Sequence, residues 1–195
     1  MIINFILKLL ALVGLAILLP LILLSILAVV LEDGFPVFFV QQRLGKNKKI
    51  FNLLKIRTMY VATPNLGTHE IDKDNYLKTG VLLRKLKIDE LPQVLNFIKG
   101  DINLIGPRPG LPNQTELRDF RSQENIFDIK PGITGLGQVL GYDMSNPSLL
   151  SKIDSLYVKN KSVKLDILIF MSNFFRTFKV ILYKEFEFKI LKLKK

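Results

Sequence analysis

This chain of 195 residues has no cysteine and only one histidine, His69. Without cysteine there is no disulfide framework, no thiolate nucleophile and no thiolate zinc site. One histidine cannot build a multi-histidine metal centre, and His69 stands in a polar stretch, residues 64–75, that reads as a solvated loop. Acid–base or nucleophilic chemistry here falls to carboxylates. Carboxylates are themselves scarce, with 17 Asp and Glu against 28 Lys and Arg and a formal charge of +11. Such an excess suits nucleic acid or an anionic membrane face.

The N-terminal residues decide between these. Leu9 to Leu31 contains no charged residue, and as a helix it measures ~35 Å, enough to cross a bilayer. The run is too long for a cleavable signal peptide and no small-residue cleavage site follows it, so a permanent membrane segment is expected. Pro20 interrupts it and removes one backbone hydrogen bond, which predicts a kink. The residues alone leave two topologies open: a kinked span, or a re-entrant hairpin whose short arms return to the same face. No nucleic-acid-binding motif appears, and nucleic acid is not an expected partner.

Residues 1–31 therefore read as the membrane segment and 32–195 as one membrane-associated domain. Two β-rich runs, Pro36 to Leu44 and Ile50 to Met59, flank the basic turn GKNKK and predict a hairpin. Helices are expected over Lys78 to Leu86 and from near Asp89 to Lys99, with Gly100 as the stop. GPRPGLP reads as stiff and extended, KPGITGLGQ as a glycine-rich turn region, and the chain from Ser148 onward as two or three helices. In the last of these, Phe, Ile and Leu alternate with Lys and Arg. A core-packing helix with a solvated face would read the same way, but the nearby membrane segment and the Lys-rich end favour a helix lying in a membrane interface against anionic lipid. The expected class is α+β, mostly helical: an N-terminal membrane helix broken at Pro20, a small β-hairpin and interfacial amphipathic helices.

The chemistry concentrates at Asp89-Glu90. Asp89 precedes a helical pattern with Pro92 in its first turn, which makes it a natural N-cap. Neighbouring helical side chains point about 100° apart, so the two carboxylates are suited to different tasks. A fixed, ionised carboxylate is a competent nucleophile, or half of a Mg²⁺ site. Cations stand nearby in short blocks: Lys55 and Arg57, Arg84 and Lys85, and Arg108 between two prolines. Arginine matches phosphate oxygens bidentately, so an acidic pair among cations beside a membrane points to a phosphorylated substrate meeting a lipid.

PVFFVQQRLGKNKKIFNLLKIRTM, RKLKIDELPQVLNFIKGDINLIGPRP and KPGITGLGQV occur in the order seen in the bacterial sugar transferases. In its shortness the chain resembles the small monotopic phosphoglycosyl transferases of that family. The resemblance implies transfer of a sugar phosphate from a UDP-sugar to polyprenyl phosphate, usually undecaprenyl phosphate, with release of UMP. It assigns Asp89 as the nucleophile that carries the phosphosugar and as a metal position, Glu90 as its partner acid, and Mg²⁺ as cofactor. Lys55, Arg84, Arg108 and Asp154 match substrate-binding positions. Pro20 matches the family's break in a re-entrant helix, which favours the hairpin topology and places the protein on the cytoplasmic face of the bacterial inner membrane. A homodimer is compatible with this reading.

Two departures stand out. The break is Leu19-Pro20 where small members often have Ser-Pro. Tyr142, in GLGQVLGY, stands where the family often has arginine, which puts sugar or nucleotide preference outside the resemblance. The rival from another class is a catalytically silent membrane scaffold for lipid or partner proteins. The intact Asp89-Glu90 pair argues against it.

Overall fold

The computed structural model describes residues 2–64 and 71–193; His69 and the loop around it lie outside them. The fold is α+β and mostly helical. It forms two compact units, Met1–Gln42 with Asn52–Asp101 and Arg43–Phe51 with Ile102–Lys195.

The first unit opens with helices α1 (Ile2–Ile17) and α2 (Leu19–Asp33). No single helix among the described residues is long and apolar enough to cross a membrane, but this pair passes that test together and is bent by 54°. The break falls at Leu18, and Pro20 sits in the first turn of α2. Proline has no N–H to offer the carbonyl four residues earlier, so the turn ahead of it loses its bond and yields. A bend of this kind suits either a broken span or a re-entrant loop. On α2, Ile22, Ser25 and Val29 are buried, a spacing that lays one stripe of the helix inward. Ile22 and Val29 pack with Ile56, Leu77, Leu83 and Ile88. Much of the rest of the pair is apolar and exposed, with Phe5, Ile17, Leu24 and Leu31 each more than 60% exposed.

Strands β1 (Phe38–Leu44) and β2 (Ile50–Ile56) form the expected hairpin. Arg57 closes the α2–β1 junction: its guanidinium donates to the Asp33 carboxylate and to the carbonyls of Asp33, Gly34 and Pro36. Helix α3 (Lys78–Lys85) follows, with Leu77 at its N-cap offering no side-chain acceptor. Glu32 at the end of α2 supplies one, accepting from the N–H groups of Lys78 and Thr79 and from the Thr79 hydroxyl. Two orphan donors of α3 are thereby satisfied from far along the chain. Helix α4 (Gln93–Lys99) ends at Gly100, in the left-handed conformation expected of a C-terminal stop.

The second unit contains a parallel pair, β3 (Asn103–Ile105) with β4 (Gly132–Thr134), in the register Asn103 to Gly132 and Ile105 to Thr134. The glycine-rich stretch expected as a turn is thus a strand, followed by a short helix α6 (Leu136–Leu140). Gly132 permits the pairing, because a Cβ there would lie 2.1 Å from the Gly106 nitrogen. Helices α5 (Thr115–Gln123), α7 (Pro147–Lys159), α8 (Val163–Ser172) and α9 (Arg176–Leu193) complete the unit. Asn146 and Ser162 cap α7 and α8 by accepting from the N–H groups of Leu149 and Leu165. Leu182, Phe186 and Ile190 of α9 enter a core with Ile105, Leu136, Ile153, Tyr157 and Ile169. Part of the basic, aromatic C-terminal helix is therefore core-packing.

Candidate active site

Asp89 is positioned by a break between helices rather than by a helix N-terminus. After α3, Lys87 takes a left-handed conformation (φ 57°) and turns the chain into a 3₁₀ turn, Ile88–Glu90. The following helix begins only at Gln93, with Pro92 as its N-cap residue. This corrects the expectation that Asp89 caps the helix. Pro92 cannot donate to a carbonyl behind it, so the chain enters the helix through a tighter 3₁₀ turn. Ile88 anchors that turn in the core of the first unit, and beside it Asp89 is only 4% exposed.

Glu90 is the neighbouring carboxylate on the same turn. Its Oε1 accepts from Lys55 Nζ at 2.9 Å, both side chains being largely buried. Asn96 fixes the approach of β2 to α4 that this pair requires. Its Nδ2 donates to the Asn52 carbonyl at 2.7 Å and to Asp101 Oδ2 at 3.0 Å, while its Oδ1 accepts from the Leu54 N–H at 3.1 Å. Lys55 is the next residue on that strand. Buried Gln93, one turn beyond Asp89, keeps its Nε2 donor without a partner among the described residues, an uncommon condition for a buried amide.

Arg84 is half-buried at the end of α3. Its Nε donates to Thr58 Oγ1 at 2.7 Å, its Nη1 to the Tyr76 hydroxyl at 3.2 Å, and the guanidinium lies over the Tyr76 ring. Lys55, Arg84, Asp89 and Glu90 thus gather in the first unit.

Arg108 and Asp154 belong to the second unit. Arg108 is half-buried between the buried Pro107 and Pro109. Asp154 is buried with Arg121, whose Nε and Nη2 both donate to Asp154 Oδ2, at 3.1 and 2.6 Å. Burial pushes the Asp154 carboxyl up from its usual value, and the Arg121 guanidinium opposes that shift. Tyr142 is half-buried against the core of this unit, and its N–H donates to the Gly137 carbonyl.

Arg43, Gln93, Asn96 and Arg121 did not stand out in the sequence, although all four are buried. Their importance comes from burial, which a charge or amide in a mixed segment does not announce. Among the described residues, no three His, Cys, Asp or Glu side chains gather as a metal cluster.

The family model for bacterial sugar transferases matches residues 2–182, nearly the whole chain. The chain belongs to the bacterial sugar transferase family. It is 43% identical over 146 residues to the sugar transferase EpsL of Bacillus subtilis, covering 75% of this chain and 72% of EpsL. It is 36% identical to the UDP-N-acetylgalactosamine-undecaprenyl-phosphate N-acetylgalactosaminephosphotransferase of Aeromonas hydrophila, over 84% of this chain and 39% of that protein. It is also 39% identical to the UDP-glucose:undecaprenyl-phosphate glucose-1-phosphate transferase of Caulobacter vibrioides, over 63% of this chain and 47% of that protein. The chain therefore spans less than half of these last two. Their names share undecaprenyl phosphate and a UDP-sugar and differ in the sugar.

Proposed function

We propose that this sugar transferase moves a sugar-1-phosphate from a UDP-sugar to undecaprenyl phosphate through a phosphosugar carried on Asp89. The observation that carries the reading is the setting of the dyad: Asp89 is buried in a 3₁₀ turn, while Glu90 accepts from Lys55 at 2.9 Å. An oxygen of the Asp89 carboxylate attacks the β-phosphorus of the UDP-sugar. The bond from that phosphorus to the bridging oxygen breaks, and UMP leaves with the oxygen. An oxygen of the lipid phosphate then attacks the same phosphorus, the acyl–phosphate bond breaks, and Asp89 returns as a carboxylate. Glu90, oriented by Lys55, assists the lipid phosphate in the second step, and Arg84 and Arg108 bind phosphate oxygens.

The donor set also fits Mg²⁺, which takes one or two carboxylates and completes its shell with water and substrate phosphates. Asp89, with Glu90 beside it, would hold the ion. Bound there, Mg²⁺ supplies charge neutralisation at the diphosphate.

The membrane side of the reading rests on α1. Lys8 Nζ donates to the Ile98 carbonyl on α4 at 2.6 Å, and α2 packs on the same unit through Ile22 and Val29. A straight span would leave α1 across the bilayer from α4, so these contacts support re-entrance at Pro20, with both arms entering from the cytoplasmic face of the inner membrane. Val163, Ile167, Phe170, Phe174 and Phe175, exposed at helical spacing along and just past α8, support contact with an anionic lipid surface.

The test is UMP release from a panel of UDP-sugars by the purified protein with undecaprenyl phosphate, coupled to mass spectrometry of protein incubated with donor alone. A phosphosugar adduct on Asp89 is expected. Turnover with no adduct and no dependence on Asp89 would remove the covalent route.

A further inference from the structure

Prolines at 107 and 109 have no N–H, so the Pro107-Arg108-Pro109-Gly110 segment is most readily held through its carbonyls. All four of these carbonyls accept. Gly132 N–H donates to Pro107 at 3.0 Å, Arg121 Nη1 to Arg108 at 2.8 Å, Arg43 Nη1 to Pro109 at 2.9 Å, and Leu44 N–H to Gly110 at 2.9 Å. The donors come from β4, from α5 and from the end of β1, and all lie in the second unit. Two are arginines that are themselves buried, Arg121 at 3% and Arg43 at 7% exposure.

Burying an arginine is costly unless it is paired and hydrogen-bonded. Arg121 divides its fork, with two N–H groups on Asp154 Oδ2 and a third on the Arg108 carbonyl. Asp154 thereby fixes the plane of the guanidinium, and the guanidinium fixes the backbone from which the Arg108 side chain projects. A lysine has the charge but not the planar fork that serves both partners.

We propose that Arg121 and Arg43 are positioning residues for Arg108, and that Asp154 acts through Arg121 rather than on the substrate. This rests on the reading of Arg108 as a phosphate-binding residue. A loop tied down at every carbonyl presents that arginine with its ordering cost met on folding, so binding energy is not consumed in arranging it.

A double-mutant cycle on the full chain in detergent tests this, using UMP release with the best UDP-sugar from the panel. Arg121→Lys is expected to keep its melting transition, to lose about 10- to 100-fold in turnover, and to raise hydrogen exchange in the peptide over residues 104–111. Combined with Arg108→Lys, it should lose no more than Arg108→Lys alone, because Arg121 acts only through that side chain. Multiplying losses, or a folded Arg121→Lys protein with wild-type turnover and exchange, overturn the inference. If Arg121→Lys does not fold, the same cycle is read with Asp154→Asn. That variant should also raise exchange over 104–111, whereas a changed KM for the UDP-sugar with unchanged exchange would put Asp154 on the substrate and overturn the inference. An Arg108→Lys enzyme as active as wild type overturns the phosphate-binding reading together with this one. An impaired Arg108→Lys enzyme with multiplying losses overturns this one alone.

Discussion

Lys55 Nζ donates to Glu90 Oε1 at 2.9 Å across 35 residues of chain. The contact makes Glu90 a held carboxylate while its neighbour Asp89 is buried in the turn. If Glu90 serves the lipid step, Glu90→Gln should separate the two half-reactions. The phosphosugar adduct should still form with donor alone and then persist after undecaprenyl phosphate is added, with overall turnover about 10²-fold lower. A Glu90→Gln protein that forms no adduct, although folded, would place Glu90 in the first step instead.

Asp89→Asn keeps the size of the side chain and removes its charge. Turnover is expected to fall ~10³-fold or more, as for other lost nucleophiles, with no adduct by mass spectrometry and a melting temperature close to wild type. Turnover near the wild-type rate would remove Asp89 from the mechanism.

Helix α3 is pressed against Thr58 at two points one turn apart. Arg84 donates to the Thr58 hydroxyl at 2.7 Å, and a Cβ on Gly80 would lie 2.2 Å from the Thr58 carbonyl oxygen. Gly80→Ala should therefore shift α3 off the β2 end and cost about 1–3 kcal/mol, although alanine is the better helix former. Activity should fall with it, because α3 carries Arg84 and leads into the Asp89 turn. Chemical denaturation reads the stability. An alanine variant as stable as wild type would show that the backbone yields there.

Alkaline pH should weaken the second unit through Tyr157. Burial, and then the hydrogen bond to Asp166 Oδ1 at 2.7 Å, push its hydroxyl far above the ordinary value of 10.0. The unfolded chain loses this proton above that ordinary value while the folded chain keeps it. Stability is thus fully present below pH 10.0 and declines as pH rises beyond it, by about 1.4 kcal/mol per unit from this group. Tyr157→Phe should flatten that part of the profile in denaturation curves between about pH 9.5 and 11. Parallel slopes in the two proteins would count against it.

Topology can be read with cysteines placed one at a time at Asn4 and Lys46, since the chain has no cysteine of its own. Re-entrance predicts that a membrane-impermeant thiol reagent labels neither on intact cells and both after the membrane is opened. Labelling at position 4 alone on intact cells would establish a single span and leave the chemistry at Asp89 untouched. Replacing Pro20 with Ala should restore the missing N–H, straighten the bend, and let part of the population label at position 4.

Local chemistry is what the sequence determined by itself. An uncharged run sets the apolar helix pair, a proline sets the place where it breaks, and a left-handed glycine after Lys99 ends α4. A basic turn between β-rich runs sets the hairpin, and Asp89 and Glu90 are adjacent because the chain makes them so. Each of these depends on residues within a turn or two of one another, where propensity and hydrogen-bond arithmetic are short-ranged. The tertiary structure decided what each charge is for. Arg57 and Arg84 carry the same guanidinium in neighbouring basic blocks, yet Arg57 is consumed at the α2–β1 junction while Arg84 lies half-buried against Thr58 and Tyr76. Arg121 finds Asp154 33 residues onward, and β3 finds β4 with strands of three residues each. No alternation can be read from three residues, and no pattern along the chain marks which cation will lose its water. Pairing of this kind is set by which surfaces the core brings together.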